Sequence, residues 1–95
     1  MTDRLNPDAI HHALDRLDGW SGTEEKLSKT YRFADFAQAM RFTNRVADLA
    51  ERIGHHPDIA ISWNEVRLDL STHSAGGVTQ KDVDLAAKLE GLDTA

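Results

Sequence analysis

Apolar and polar positions change period several times along the chain, and each change marks an element. From Ile10 the apolar positions recur at helical spacing, with Ala13 or Leu14 and then Leu17 on one stripe. Asn6 can cap this helix, Pro7 suits its first position, Asp8 complements its dipole, and Leu5 can staple Ile10. Asp18-Gly19 is its predicted stop. From Lys26 to Phe33 the period drops to two: Leu27, Lys29, Tyr31 and Phe33 share one face, against Lys26, Ser28, Thr30 and Arg32. That pattern predicts a half-buried antiparallel strand, hairpinned with a short strand around Trp20.

A long helix follows over 35–53. Asp35 with Gln38 resembles a capping box, and Gly54 is a natural left-handed terminator. Phe36, Met40, Thr43, Ala47 and Ala50 form its predicted stripe, widened by Phe42, Val46, Leu49 and Ile53. Two more alternating runs, 59–63 and 66–72, predict a hairpin around Asn64-Glu65, with Ile59, Ile61 and Trp63 turned toward the helices. Thr79-Gln80-Lys81-Asp82 opens the last helix as a capping box with Asp in place of Glu, stapled by Val78 and Val83 and ending at Gly91. The order is α-β-β-α-β-β-α. This predicts an α+β sandwich: a four-stranded, mostly antiparallel sheet with the helices packed on one face. The open sheet face and edge strands of such a monomer favour self-association.

Ninety-five residues make a single domain, 1–95, and the 40% hydrophobic share is ordinary for a globular chain. The absence of cysteine excludes disulfides and thiolate metal sites and fits a cytoplasmic location. No apolar run is long enough to span a membrane, and Met1-Thr2-Asp3-Arg4 leads into the first helix without a signal-peptide core. A net charge of −5 with no basic cluster argues against direct nucleic-acid binding.

Chemistry concentrates after the long helix. His55 and His56 stand side by side between Gly54 and Pro57, and His73 follows one hairpin later. Counting back along that hairpin brings Thr72 and His73 near Pro57 and Asp58, so the three imidazoles can converge. Imidazole titrates near neutral pH, which suits proton transfer; it also binds metal, and it often merely caps a carbonyl or meets solvent. Adjacent histidines seldom ligate one ion, and no cysteine or spaced histidine pair supports zinc. Glu51, four residues before His55, can reach an imidazole beyond the helix end. Asp82 has a sufficient role as a cap. Trp20 and Trp63 are core candidates that can equally offer a flat face to an aromatic ligand. His11 and His12, adjacent on the first helix, point in different directions and read as surface residues.

The series Glu51, His55-His56-Pro57, Trp63, His73, Gly76-Gly77-Val78-Thr79 and Asp82 resembles the signature of the pterin-4a-carbinolamine dehydratases. The likeness extends to Gly19-Trp20, Tyr31-Arg32-Phe33 and the helix at Phe36. It implies an α+β fold assembling as a homodimer or homotetramer. It implies a hydro-lyase, 4a-hydroxytetrahydrobiopterin dehydratase, forming quinonoid dihydropterin in the recycling of tetrahydropterin for aromatic amino acid hydroxylases. The pterin is then the substrate, with no metal or organic cofactor. On this resemblance His55 and His73 form an acid–base pair and His56 binds or orients the pterin. Glu51 supports His55, Asp82 and Pro57 sit beside the site, Trp20 lines it, and Lys81 holds a position where the family tends to be basic. The competing expectation is a non-catalytic oligomeric binding protein, a dimerisation cofactor of another protein.

Overall fold

A computed structural model of the protein describes residues 3–93; Met1 and Thr2, part of the leader expectation, lie outside them. Four strands carry the alternating runs: β1 (Ser21–Gly22), β2 (Leu27–Arg32), β3 (Asp58–Ser62) and β4 (Glu65–Leu70). Every neighbouring pair is antiparallel, in the order β1-β2-β4-β3. The helices are α1 (Pro7–Leu14), α2 (Phe36–Ile53) and α3 (Gln80–Asp93). Leu27 and Tyr31 of β2 and Val66, Leu68 and Leu70 of β4 form one core with Ile10, Phe42, Val46, Leu85 and Leu89 of the helices. The opposite sheet face carries Ser28, Asp69 and Arg67, tied together by hydrogen bonds. The predicted α+β sandwich with helices on one face is the observed fold.

The helix starts follow their caps. Asn6 Oδ1 accepts the Ala9 N–H at 2.8 Å, and Asp35 Oδ1 accepts the Gln38 N–H at 2.8 Å. Gly54 closes α2 in the left-handed region (φ 70°), as its missing Cβ permits. The ends of α1 and α3 depart from expectation. α1 stops at Leu14, and 13–17 continue as tight turns that still bury Leu17. α3 runs through Gly91 to Asp93, because a glycine ends a helix only where the chain actually turns left-handed.

Burial corrects two stripes. The inward face of α2 is Ala39, Phe42, Val46 and Ala50, while Phe36 stays 51% exposed. The β3–β4 turn is Trp63-Asn64, one residue earlier than predicted, so Ile59 pairs with Leu68 and Ile61 with Val66. A tertiary contact sets this turn: Phe33 N–H donates to the Asn64 carbonyl at 2.8 Å, and Asn64 Nδ2 donates back to the Phe33 carbonyl at 2.9 Å. Trp63 consequently leaves the strand, adopts φ 52° and is 68% exposed. Ile59 and Ile61 lie on the helix side by register, yet each is 38% exposed because β3 is the uncovered edge.

One crossing places the candidate chemistry. The segment leading into α3 is pinned on both sides: Val78 N–H donates to the Glu24 carbonyl at 2.8 Å, and Leu5 N–H donates to the Val78 carbonyl at 2.9 Å. Gly77 makes that approach possible, since a Cβ there would lie 2.5 Å from the Glu24 oxygen. The Thr72–Gly77 bridge, two residues past β4, then holds the start of α3 beside the end of that strand.

Candidate active site

The left-handed residue at Gly54 sends the chain out of α2 so that consecutive histidines diverge. His55 turns inward and His56 outward: their side chains are 15% and 60% exposed. His55 Nε2 lies 2.6 Å from Asp82 Oδ1, and the Asp82 side chain is fully buried. His56 Nε2 instead pairs with Glu51, an exposed carboxylate one helical turn back. Glu51 therefore reaches the neighbour of the histidine it was expected to support, because the chain leaves helical geometry at Gly54.

Asp82 is held from several directions. Oδ2 accepts the Thr79 N–H at 2.9 Å, completing the predicted capping box, and also accepts the Thr72 hydroxyl at 2.8 Å. Thr79 Oγ1 accepts the Lys81 N–H at 3.2 Å. Thr72 and Thr79 are themselves buried and 2.7 Å apart, oxygen to oxygen. A capped helix start, a strand end and an imidazole are thus joined through one carboxylate. Such buried networks hold together only when every donor and acceptor is matched, and here the distances match.

His73 opens a 3-10 turn, His73–Ala75, directly after Thr72, and its side chain is exposed. That turn is closed at its base by Thr72 N–H to the Gly77 carbonyl, 2.9 Å. His73 is thus one residue from the Asp82 network, on a short exposed turn. Pro57 is half-buried in the link to β3. Trp20 is buried in the core with its indole N–H on Glu90 at 3.2 Å, so within this chain it acts as the core residue that was its first reading. Among the described residues, no three His, Asp or Glu side chains converge closely enough to hold a metal ion.

A cleft of about 180 Å³ opens beside His55, lined by Ile53, Gly54, Lys81, Asp84, Leu85 and Lys88. His12 belongs to a different groove, with Leu5, Asp8, Arg16 and Gln80. Thr72 is the site residue that sequence reasoning missed. Its type fits any strand end, and its contact with Asp82 spans ten residues through a loop. The only available signal was its place before His73.

An imidazole backed by a buried carboxylate is a residue pairing that suits proton transfer. The comparisons supply the family. The chain matches the family described as pterin 4 alpha carbinolamine dehydratase over residues 3–92. It is 47% identical over 92 residues to a provisionally named pterin-4-alpha-carbinolamine dehydratase of Thermosynechococcus vestitus, covering 97% of each chain. A protein of Acidobacterium capsulatum with the same provisional name is 48% identical, with 94% of this chain and 97% of that one covered. Among solved structures, a transcriptional coactivator/pterin dehydratase from Brucella melitensis superposes with a TM-score of 0.90 at 34% identity, covering 96% and 99% of the two chains. A pterin dehydratase-like protein identified as a RuBisCO assembly factor in the alpha-carboxysome gives 0.65 at 26% identity, covering 80% and 88%. This chain belongs to the pterin-4a-carbinolamine dehydratase family.

Proposed function

We propose that the protein dehydrates a 4a-hydroxytetrahydropterin to quinonoid dihydropterin by histidine acid–base catalysis, with the pterin as substrate and no metal or organic cofactor required. The observation that carries this reading is His55 on buried Asp82 beside an open cleft. The reaction breaks the carbon–oxygen bond of the carbinolamine. The leaving oxygen takes a proton and departs as water, the adjacent ring nitrogen forms a double bond to that carbon, and the nitrogen's proton is removed. One protonated and one neutral imidazole perform both transfers, typically worth about 10²–10⁴-fold. His55 and His73 are the proposed pair, and His56 with Glu51 orients the pterin. In a cytoplasm this activity would return tetrahydropterin to aromatic amino acid hydroxylases.

The test is dehydration of freshly generated 4a-hydroxytetrahydropterin, followed by absorbance, for the wild type beside His55→Ala/His73→Ala. Acceleration by the wild type, and none by the folded double variant, is the expected result. Equal rates for the two would remove the histidine mechanism.

A second reading, that the protein also works by assembling with itself or with another protein, is favoured by a specific surface. Phe36, Ile53, Ile59, Ile61 and Trp63 are all large, apolar and exposed, and Ile59 and Ile61 lie on an open sheet edge. We propose a homodimer or homotetramer. Light scattering should give a multiple of the chain mass, falling to the monomer for Ile59→Lys/Ile61→Lys. A monomeric wild type would end the proposal of self-assembly.

A further inference from the structure

The hydrogen bonds behind Asp82 have a direction. As a carboxylate, Asp82 only accepts, so the Thr72 hydroxyl hydrogen points at Oδ2 across 2.8 Å. With that hydrogen committed, Thr72 Oγ1 must accept from the Thr79 hydroxyl, 2.7 Å away. Thr79 Oγ1 in turn accepts the Lys81 N–H. Oδ2 is then occupied by the Thr72 hydroxyl and the Thr79 N–H, which fix the plane of the carboxylate. Oδ1 is left facing His55 Nε2 at 2.6 Å, and that nitrogen must carry a hydrogen.

The helix cap accounts for only part of this. A capping box needs Thr79 and the Oδ2 of Asp82, and the Thr72 hydroxyl adds an acceptor for the buried Thr79 hydroxyl. Valine at position 72 would fill the same buried space but leave the Thr79 hydroxyl without that acceptor and Oδ2 without one of its two donors. The Thr72 hydroxyl thus ties the cap to Asp82, whose other oxygen meets His55.

We propose that Thr72 is a positioning residue: through Asp82 it holds His55 in the tautomer protonated at Nε2, so that Nδ1 is the atom presented to the substrate. Resting on the dehydratase reading, His55 takes a proton on Nδ1 and returns it from the same atom while Nε2–H stays on Asp82. Asp82 thereby stabilises the imidazolium that forms in between.

Thr72→Val and Thr72→Ser make opposite demands. Valine keeps the shape and loses the hydroxyl; serine keeps the hydroxyl and loses a methyl group. Two readouts apply: the ¹⁵N signature of the His55 ring at a pH where imidazole is neutral, and kcat with KM in the dehydration assay. The expected wild-type spectrum is that of the Nε2–H tautomer, retained by Thr72→Ser and mixed with Nδ1–H in Thr72→Val. In Thr72→Val, kcat should fall about tenfold, the rate equivalent of one weakened hydrogen bond to a charged group, with KM little changed. A Thr72→Val protein with the wild-type tautomer and kcat, or a Thr72→Ser protein as impaired as Thr72→Val, overturns the proposal. The spectra also separate the two claims. If the wild type dehydrates no pterin, the dehydratase reading fails. The positioning role is then still decided by the tautomer alone: a wild-type His55 protonated at Nδ1 would refute it, and a Thr72-dependent Nε2–H would sustain it.

Discussion

Two neighbouring histidines, each paired with a carboxylate, sit in opposite environments. His55–Asp82 is enclosed, its carboxylate wholly buried and accepting further bonds from Thr72 and Thr79. His56–Glu51 is open, with both side chains more than half exposed. The chemistry of the two pairs is the same, and the surroundings decide what each can do. In water, an ion pair is screened and its side chains pay entropy to stay together, so it contributes about 0–1 kcal/mol. Within the fold, the same geometry is held by buried neighbours bonded to the carboxylate, and it can fix a tautomer.

The largest break in this comparison is Asp82→Ala. It strips the acceptor from the Thr79 N–H, the Thr72 hydroxyl and His55 together, at about 1–3 kcal/mol for each buried donor. Urea unfolding should show a loss of about 3 kcal/mol or more, and turnover should fall at least about 10²-fold. A stability change under about 1 kcal/mol would mean the network is looser than its distances indicate.

Glu90 is a middle case, half-buried, accepting from Lys29, Tyr31 and Trp20. Burial pushes its carboxyl upward, but the bonds from Lys29, Tyr31 and Trp20 and the Lys29 charge together hold it below the ordinary 4.5. Asp69 is likewise held below 3.8: burial raises it, and bonds from Ser28 and Arg67 with the charges of Arg67 and Lys26 outweigh that. Carboxyls lowered by folding stabilise the fold above their unfolded values. That stabilisation is lost as pH falls through the lowered folded ones. Glu90→Gln should cost about 1–2 kcal/mol at neutral pH and flatten the acid limb of stability, measured by urea unfolding from neutral pH downward. An unchanged acid limb would mean that Glu90 is not part of it.

Gly54→Ala sharpens the comparison at its hinge. Open space surrounds this position, so only the φ of 70° opposes a side chain, at about 1 kcal/mol. Thermal unfolding should report that loss, and turnover should drop further if the turn aims His55. The smallest effect belongs to Glu51→Gln, within about 0.5 kcal/mol in stability, with KM rising more than kcat falls. A stability loss as large as that of Asp82→Ala would erase the contrast between the pairs.

Much of the fold was legible in local pattern. Asn6, Asp35 and Thr79 each cap where expected, Gly54 ends its helix, and Lys29 and Tyr31 share the inner face of β2. The two misplaced aromatics have different causes. Phe36 was assigned inward by period alone, and period states which face a residue occupies but not whether anything covers that face; Trp63 was carried out of its strand by the one-residue shift of the turn. β3 and β4 alternate alike, yet only β4 lies under the helices.

For this protein, the sequence by itself determined the element order, the caps and the placing of His55 and His56 just after the end of α2 and of His73 just after β4. These follow from backbone sterics and nearest-neighbour hydrogen bonds, which act over a few residues. Tertiary structure alone decided that Asp82 takes His55 and leaves His56 to Glu51, that Thr72 stands behind Asp82, and that the hairpin turns at Trp63-Asn64 under the pull of Phe33. Each of those choices joins residues at least five apart across a non-helical link. Which donor meets which acceptor there depends on where packing leaves the backbone, and no local pattern records it.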